Sequence, residues 1–182
     1  TPDGTTRVPI ATSNYMMVAN PSDSTTPMVY AAQYGPPLGV GFINSKVNFR
    51  DITDGTSNTL MIGERAWKFN DLTIGAGTAL GFSAEVNASG SNVRTAALNC
   101  LSIGYDGINY SATNRVHQRR SFSSNHTGGA QFVLCDGSVR FISQNIDYAK
   151  GSVSIAPYPD SFMGTTFARL LSRNDGYTIG EY

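Results

Sequence analysis

The sequence predicts an α+β fold that is rich in β-structure, in which an antiparallel sheet carries a short C-terminal helix. Three observations predict it. Apolar segments flank Asp136-Gly137, a dipeptide that favours the turn of a β-hairpin. The mostly apolar stretch Thr59 to Glu64 has the length of a buried strand. Phe167, Leu170 and Leu171 form an apolar stripe with helical spacing.

Length and composition predict a single domain spanning residues 1–182. Charged residues make up only 14% of the chain, and 13 acidic side chains balance 13 basic ones. The longest basic run is Arg119-Arg120, so we expect no nucleic-acid partner. Ser, Thr, Asn and Gly instead provide a neutral, hydrogen-bonding surface, which is typical of secreted proteins and fibre subunits. No apolar run reaches the roughly 18 residues that a membrane-spanning helix needs.

The N-terminal third alternates short apolar runs with turn clusters. Asn14 to Ala19 and Met28 to Ala32 are the strand candidates in the first forty residues. Asp51 is expected to cap a short helical turn that ends at Asp54-Gly55, and the strand Thr59 to Glu64 follows it.

The middle of the chain, about residues 72–120, is rich in Gly, Asn and Ser. This composition predicts long surface loops, which often carry binding specificity. Gly81 to Val86 and Ala97 to Ile103 are weak strand candidates within it.

The C-terminal third contains a predicted hairpin, residues 129–146. A two-residue type I′ turn at Asp136-Gly137 would place Leu134 opposite Val139 and Phe132 opposite Phe141, with all four side chains on one face.

The last predicted element is a helix over about residues 165–174. Thr165 or Thr166 would cap it, and Asn174-Asp175-Gly176 would end it. We expect its apolar stripe to pack on the sheet.

Two sequence motifs resemble those of a known family. Asp54-Gly55-Thr56-Ser57-Asn58-Thr59, followed by Gly63-Glu64-Arg65, is similar to the central signature of a large prepilin-like family that is abundant in planctomycetes and whose function is uncharacterised. His126 to Gly129, followed by Asp136-Gly137, resembles its C-terminal His-x9-Asp-Gly element. The stretch from Phe167 to Glu181 resembles the last helix and tail of that family. The residues that carry the two motifs are Asp54, Gly55, Thr56, Ser57, Asn58, Glu64, His126, Gly128, Gly129, Asp136 and Gly137.

The resemblance implies a head domain of the type IV pilin or type II secretion pseudopilin kind. Members normally begin with a prepilin leader and a long apolar helix, which anchors the protein in the membrane and later forms the filament core. The sequence does not contain that helix. We expect that only this N-terminal helix, and no part of the head domain, would contact a membrane. The resemblance further implies an extracytoplasmic location, in the periplasm or at the cell surface. It implies a structural subunit whose partners are copies of itself or related pilin-like subunits.

His126 and Asp136 are the first candidates for chemistry, as an acid-base pair or as metal ligands. An extended strand between them would separate their side chains by about 20 Å, so they cannot share a proton or an ion. We expect Asp136 to serve the turn and His126 to fix the loop before the hairpin. The sequence contains no nucleophile elbow, phosphate loop or His-Glu-x-x-His motif, and its two histidines exclude a histidine-rich metal centre. We therefore expect no catalytic residues, no metal site and no enzyme activity.

Five Asp, Asn and Glu side chains supply oxygen atoms that could bind Ca²⁺, which makes them a second candidate site. Their spacing in the sequence matches no EF-hand loop. We expect no cofactor, with Ca²⁺ as the alternative, because such side chains commonly bind their own backbone in turns. Glu64, at the end of an apolar strand beside Arg65, is expected to be a partly buried carboxylate that forms a salt bridge and takes no part in catalysis. The candidate ligands are Asp51, Asp54, Asn58, Glu64 and Asp71.

The two cysteines, Cys100 and Cys135, have no metal-binding spacing. They form either one disulfide or two inert thiols, and geometry decides between these.

A surface module that binds a glycan or a small solute is the alternative function. Tyr105, Tyr110 and Trp67 would supply aromatic faces for it, although the same residues also suit a core or loop anchors. A hydrolase ranks third, because no nucleophile with an oriented base is visible.

Overall fold

A computed structural model describes residues 11–20, 37–74, 77–78, 97–111, 115–149 and 163–182. The strands in these ranges are β1 (Thr12–Ser13), β2 (Tyr15–Asn20), β3 (Leu60–Glu64), β4 (Lys68–Phe69), β5 (Leu72–Thr73), β6 (Gly77–Thr78), β7 (Leu101–Ile103), β8 (Gly129–Leu134) and β9 (Val139–Ser143). The helices are a 3₁₀-helix at Phe49–Asp51, α1 (Arg115–Arg120) and α2 (Thr166–Leu170).

A five-stranded sheet with the order β7-β2-β3-β8-β9 organises the fold. The pairs β2–β3, β3–β8 and β8–β9 are antiparallel. These features confirm the predicted α+β, β-rich fold. The prediction of an antiparallel sheet is wrong at one edge, where β7 runs parallel to β2. Parallel neighbours need a long crossover, and the chain between β2 and β7 is long enough to provide one.

The main core lies on one side of this sheet. Helix α2 packs there, with the ring of Phe167 edge-on to Phe122 and Phe132 at centroid distances of 6.1 Å in both cases. The predicted packing of the C-terminal helix on the sheet is therefore confirmed. The buried members of this core are Val18, Leu60, Ile108, Phe122, Ala130, Phe132, Leu134, Ile142, Phe167, Leu170 and Leu171.

Helix α2 is shorter than the predicted range of about 165–174. Thr165 is its N-cap residue but makes no side-chain capping hydrogen bond. The first turn is instead satisfied by Asp147, whose carboxylate accepts the Thr166 N–H at 3.2 Å and whose carbonyl accepts the Phe167 N–H at 3.0 Å. The helix ends at Leu170, with Leu171 as its C-cap residue, before the predicted Asn174-Asp175-Gly176 segment.

The register of the β8–β9 hairpin differs from the prediction by one residue. Val133 lies opposite Val139, and Phe132 lies opposite Arg140. The Leu134 N–H bonds to the Ser138 carbonyl, so the loop has three residues, Cys135 to Gly137, instead of two. Gly137 adopts φ +87°, as the last residue of such a loop requires. The predicted grouping of four apolar side chains on one face is consequently wrong.

The first half of the chain confirms two predicted strands within one residue, namely β2 and β3. The predicted helical turn after Asp51 is misplaced, because the 3₁₀-helix ends at this residue. The Asp51 carboxylate still serves as a cap, accepting the Asn48 N–H at 2.8 Å.

The middle of the chain holds more regular structure than predicted. Helix α1 and strands β5, β6 and β7 all lie within residues 72–120. The strand predicted over Ala97 to Ile103 is limited to β7, and 97–100 form a turn. The candidates Met28 to Ala32 and Gly81 to Val86 lie outside the described residues. In the described part of the chain, no helix has the length and hydrophobicity that membrane crossing requires.

Candidate functional site

The two sequence motifs lie side by side, because β3 and β8 are neighbours in the sheet. At one end of this strand pair, the Thr56 carbonyl accepts the Asp136 N–H at 3.1 Å and the Thr59 carbonyl accepts the Cys135 N–H at 2.9 Å. At the other end, Glu64 meets the segment that contains His126. The motifs therefore form one structural unit with two ends.

Glu64 lies where the main chain of β3 changes its partner. Its carbonyl accepts the Ser123 N–H, and the Ala66 N–H donates to the Ser123 carbonyl, both at 2.9 Å. The N–H of Gln131 on β8 consequently lacks a main-chain acceptor on β3. The Glu64 Oε2 atom accepts this N–H at 2.7 Å. The carboxylate thus takes the place of a carbonyl in the β-ladder.

His126 lies against the same carboxylate. Its Nε2 atom is 3.5 Å from Oε1 of Glu64, and its own N–H donates to Ser124 Oγ at 2.8 Å. The side chain of His126 is 58% exposed, whereas that of Glu64 is only 13% exposed. Sequence reasoning considered His126 only with Asp136, which lies beyond the opposite end of β8. If the two motifs are placed on neighbouring antiparallel strands, Glu64 comes next to His126. This pairing would have identified Glu64 as the partner of His126.

Arg65 is not the partner of Glu64, whose carboxylate lies against His126. Consecutive strand residues point to opposite faces, so the two side chains diverge. The guanidinium donates to the carbonyls of Leu98, at 2.6 Å, and of Arg119. Burial, with a contribution from the nearby Arg119 charge, lowers the pKa of Arg65. This side chain fastens the end of β3 to α1 and to the turn before β7.

The Asp54 carboxylate anchors the residues that follow α2. It accepts the N–H of Asp175 at 2.6 Å and that of Gly176 at 3.0 Å. Within the Asp54–Thr59 turn, the Asn58 N–H donates to the Gly55 carbonyl at 3.0 Å and the Asn58 side chain donates to the Asp54 carbonyl at 3.3 Å. Gly55 has φ +97°, and Ser57 is exposed. The motif therefore ties a turn to the C-terminal segment.

Asp136 has the geometry of a turn residue. Its Oδ1 atom accepts the N–H of Ser138 at 2.9 Å and the hydroxyl of Ser138 at 2.7 Å. These hydrogen bonds lower the pKa of Asp136. Gly137 and Gly128 both adopt positive φ, +87° and +85°. A Cβ atom on Gly129 would lie 2.8 Å from the ring of Phe141 and 2.1 Å from the Ile142 carbonyl oxygen.

The structure does not gather the five candidate Ca²⁺ ligands. Asp51 caps the 3₁₀-helix, Glu64 binds β8, and Asp71 forms an exposed salt bridge of 3.0 Å on the β4–β5 hairpin. Asp54 and Asn58 share one turn. Within the described ranges, no group of three or more His, Cys, Asp or Glu side chains is arranged to hold a metal ion.

Cys100 and Cys135 are free thiols, which is the second of the two alternatives that the sequence leaves open. Cys100 precedes β7 and Cys135 follows β8, with β2 and β3 between these strands. Three strand spacings amount to about 14 Å, whereas disulfide formation requires Cα atoms within about 7 Å. Burial raises the pKa of Cys135 to about 11, and the nearby Asp136 charge adds to this effect.

A second cluster brings together two of the three aromatic residues considered for ligand binding. His117 Nδ1 lies 2.8 and 2.9 Å from the two carboxylate oxygens of buried Asp106, and Arg120 Nε donates to the same group at 3.0 Å. The Arg120 guanidinium lies 4.2 Å from the ring centroid of Tyr105, and Tyr110 stacks on His117 at 5.6 Å. The charged members were missed, because no local spacing connects Asp106 to α1. Trp67 lies just before β4 and is half exposed.

Apolar side chains also form a row on the side of the sheet opposite the core. Met17, Ile62, Val133 and Val139 lie directly opposite one another across β2, β3, β8 and β9. Met17 is 40% exposed and Val139 is 62% exposed. Tyr15 and Phe141 extend this row on the same side. We call Tyr15, Met17, Ile62, Val133, Val139 and Phe141 the outer face.

A groove of about 870 Å³ adjoins the outer face at Met17. Phe49, on the 3₁₀-helix, stands at its border and is 75% exposed. A β-bulge in β3 turns Met61 toward it as well. Lys46 and Arg50 are its two cationic residues. The apolar residues that line it are Met17, Val40, Val47, Phe49, Ile52, Met61 and Cys135.

Comparison with known proteins identifies a family. The model of a family described as "Protein of unknown function (DUF1559)", with the short name SBP_bac_10, matches residues 1–149. The range includes both motifs and ends before α2, so the resemblance of the segment from Phe167 to Glu181 lies outside it. Neither the curated proteins nor the solved structures contain a match. Because the match covers most of the sequence, the chain belongs to this family of proteins of unknown function.

Proposed function

We propose that this chain is the head of a pilin-like or pseudopilin-like subunit, a non-catalytic structural component of an assembly in the periplasm or at the cell surface. The open, apolar outer face is the observation that carries this proposal. One side of the sheet is filled by α2 and the core, while the other side presents a row of apolar side chains. Proteins that act as monomers rarely expose a contiguous apolar surface of this kind.

The groove beside the outer face has a volume of about 870 Å³ and is lined mostly by apolar side chains, which suits an apolar partner. Phe49 and Met17 would pack against such a partner. A long apolar helix of the kind found in pilin-like proteins fits this surface, whether it belongs to the same subunit or to a neighbour.

The bonding of the acidic motif residues supports a structural role. The carboxylates of Asp54, Glu64 and Asp136 each accept at least one main-chain N–H. Each therefore fixes a turn or a strand end. In this arrangement the motifs preserve the relative position of β3, β8 and the C-terminal segment.

Shearing of cells that express the complete gene tests the proposal. We expect the protein to pellet as an assembly after gentle shearing and centrifugation. Met17→Lys should shift it to the supernatant, because a charge on the outer face opposes packing. Asn145→Lys, which adds the same charge at an exposed polar position, serves as the control and should pellet like the wild type. Wild-type protein that appears only as a monomer, or a Met17→Lys variant that pellets equally well, would contradict the proposal.

A surface module that binds glycans or small solutes is the second candidate. The ring of Tyr105 beside the Arg120 guanidinium and the stack of Tyr110 on His117 favour it, because aromatic rings and hydrogen-bond donors suit sugars. The short family name SBP_bac_10 also hints at a binding module. A glycan array tests this candidate: it predicts a ligand that Tyr110→Ala weakens, and an array without hits would exclude glycan binding.

A further inference from the structure

Strand β9 forms one edge of the five-stranded sheet. Two hydrogen bonds flank its pairing with β8: the Leu134 N–H donates to the Ser138 carbonyl, and the Gln144 N–H donates to the Gly128 carbonyl. Because main-chain bonding alternates along an antiparallel strand, the N–H and C=O groups of Val139, Phe141 and Ser143 point away from the sheet. The Ser143 carbonyl accepts the N–H of Ile146, which belongs to the turn after β9.

The other outward groups of β9 have no main-chain partner among the described residues. These are the N–H groups of Val139, Phe141 and Ser143, and the carbonyls of Val139 and Phe141. Edge strands of monomeric proteins are usually protected by proline, a bulge or a charged residue on the exposed side. Strand β9 carries one of them, Arg140, on the side of the C-terminal segment, where its guanidinium lies 5.3 Å from the ring centroid of Tyr182. On the outer face, Val139 and Phe141 are 62% and 47% exposed.

We infer that β9 pairs antiparallel with β9 of a second copy of this chain, around a twofold axis at Phe141. This inference rests on the proposed function and identifies one contact between subunits. Phe141 would lie opposite Phe141 of the other copy, and Val139 opposite Ser143. Four main-chain hydrogen bonds would form, and the two sheets would become one continuous sheet.

Strand β9 itself is a suitable partner, because the register is self-complementary. Arg140, the one charged residue of the strand, would lie opposite Ile142 and not opposite another arginine. The formal net charge of the chain is +0, so two copies do not repel each other at long range. The pairing would also join the outer faces of the two copies and bury both Phe141 rings against each other.

Disulfide trapping of the purified chain tests the inferred register. Directly opposed residues in a hydrogen-bonded pair have Cα atoms about 5.5 Å apart, which a disulfide can span. Phe141→Cys should therefore shift to a disulfide-linked dimer on oxidation. Val139→Cys is the matched control: although it is more exposed, its two copies would lie about 14 Å apart along the strands, so it should remain monomeric. The wild type, with Cys100 and Cys135, gives the background.

A second experiment leaves Phe141 intact. A mixture of Val139→Cys and Ser143→Cys proteins should form heterodimers on oxidation, whereas each variant alone should not dimerise. Equal cross-linking of Phe141→Cys and Val139→Cys, or no cross-linking in either experiment, would overturn the inference. If shearing yields assemblies without these cross-links, the proposed function stands and the β9 pairing falls. Cross-linked dimers of a protein that never assembles on cells would support the pairing and refute the proposed function.

Discussion

The Nε2 atom of His126 lies 3.5 Å from Oε1 of Glu64, at the point where β3 separates from β8. The other carboxylate oxygen of Glu64 accepts the N–H of Gln131 at 2.7 Å. The two motifs therefore meet through a carboxylate that completes the ladder, with the imidazole on its exposed side. Most of the stabilisation from this contact should come from the buried hydrogen bond, because exposed ion pairs contribute little.

Glu64→Ala should destabilise the protein by about 1–3 kcal/mol, because it leaves the Gln131 N–H without an acceptor. Glu64→Gln retains an acceptor oxygen and should cost less. His126→Gln is the control and should change stability by less than about 0.5 kcal/mol, since the imidazole is largely exposed. Urea unfolding monitored by circular dichroism measures all three. If His126→Gln were as unstable as Glu64→Ala, the His126–Glu64 contact would contribute more to stability than the hydrogen bond from the Gln131 N–H to Glu64.

The His126–Glu64 contact illustrates what the sequence alone does not predict. Strands β3, β8 and β9 were predictable, because strand length and the turn residues are local signals. Which strands become neighbours depends on the packing of the whole chain, and Glu64 and His126 are far apart in the sequence. The Asp106–His117–Arg120 cluster has the same origin, because the fold brings two residues of α1 to Asp106 in the loop after β7.

The hairpin register shows a second limit. Gly137 with positive φ is compatible with a two-residue loop and with the observed three-residue loop. The dipeptide Asp136-Gly137 therefore identifies the turn without fixing which residues lie opposite each other. A shift of one residue places Val139 and Phe141 on the outer face, whereas Phe132 and Leu134 lie on the core side.

Gly63→Ala should destabilise the protein by about 1–3 kcal/mol through overpacking. A Cβ atom at this position would lie 2.5 Å from the rings of both Phe122 and Phe132 in the core. Gly180→Ala is the matched control, because no atom lies within 4 Å of the added methyl group. Thermal unfolding should separate the two variants. Equal melting temperatures would mean that the aromatic core adjusts without cost.

Asp175→Asn should stabilise the protein at neutral pH by less than about 1 kcal/mol, because water still reaches part of this group. Burial raises the pKa of Asp175, and the neighbouring Asp54 charge raises it further. The folded-state pKa of Asp175 therefore exceeds its unfolded value of about 3.9. The stability that the folded protein gains from the proton on Asp175 is fully present below pH ~3.9. This contribution is lost as the pH rises through the folded-state pKa.

The difference in the free energy of unfolding between Asp175→Asn and the wild type should consequently shrink as the solution is acidified. Urea unfolding at a series of pH values between neutral and about 4 measures this difference. A difference between the two proteins that is constant over this range would show that Asp175 titrates as it does in the unfolded chain.

The two cysteines should both titrate as thiols in denaturant without reductant. In the folded protein at pH 8, Cys135 should react with a thiol reagent about 100-fold more slowly than an ordinary exposed cysteine, because its pKa is about 11. Cys135→Ser should remove only this slow phase. A chain that shows no thiol in denaturant would instead contain the disulfide.

Hydroxyl-radical footprinting of the sheared assembly and of the isolated chain tests the central claim most directly, namely that the outer face is covered in the assembly. In the isolated chain, Met17 should be oxidised, whereas Met16, which is fully buried in the same strand, should be protected. Assembly should protect Met17 and Phe49 while Trp67, half exposed and outside the outer face and the groove, keeps its reactivity. If Met17 and Phe49 are oxidised as fast in the assembly as in the isolated chain, the outer face is not the packing surface.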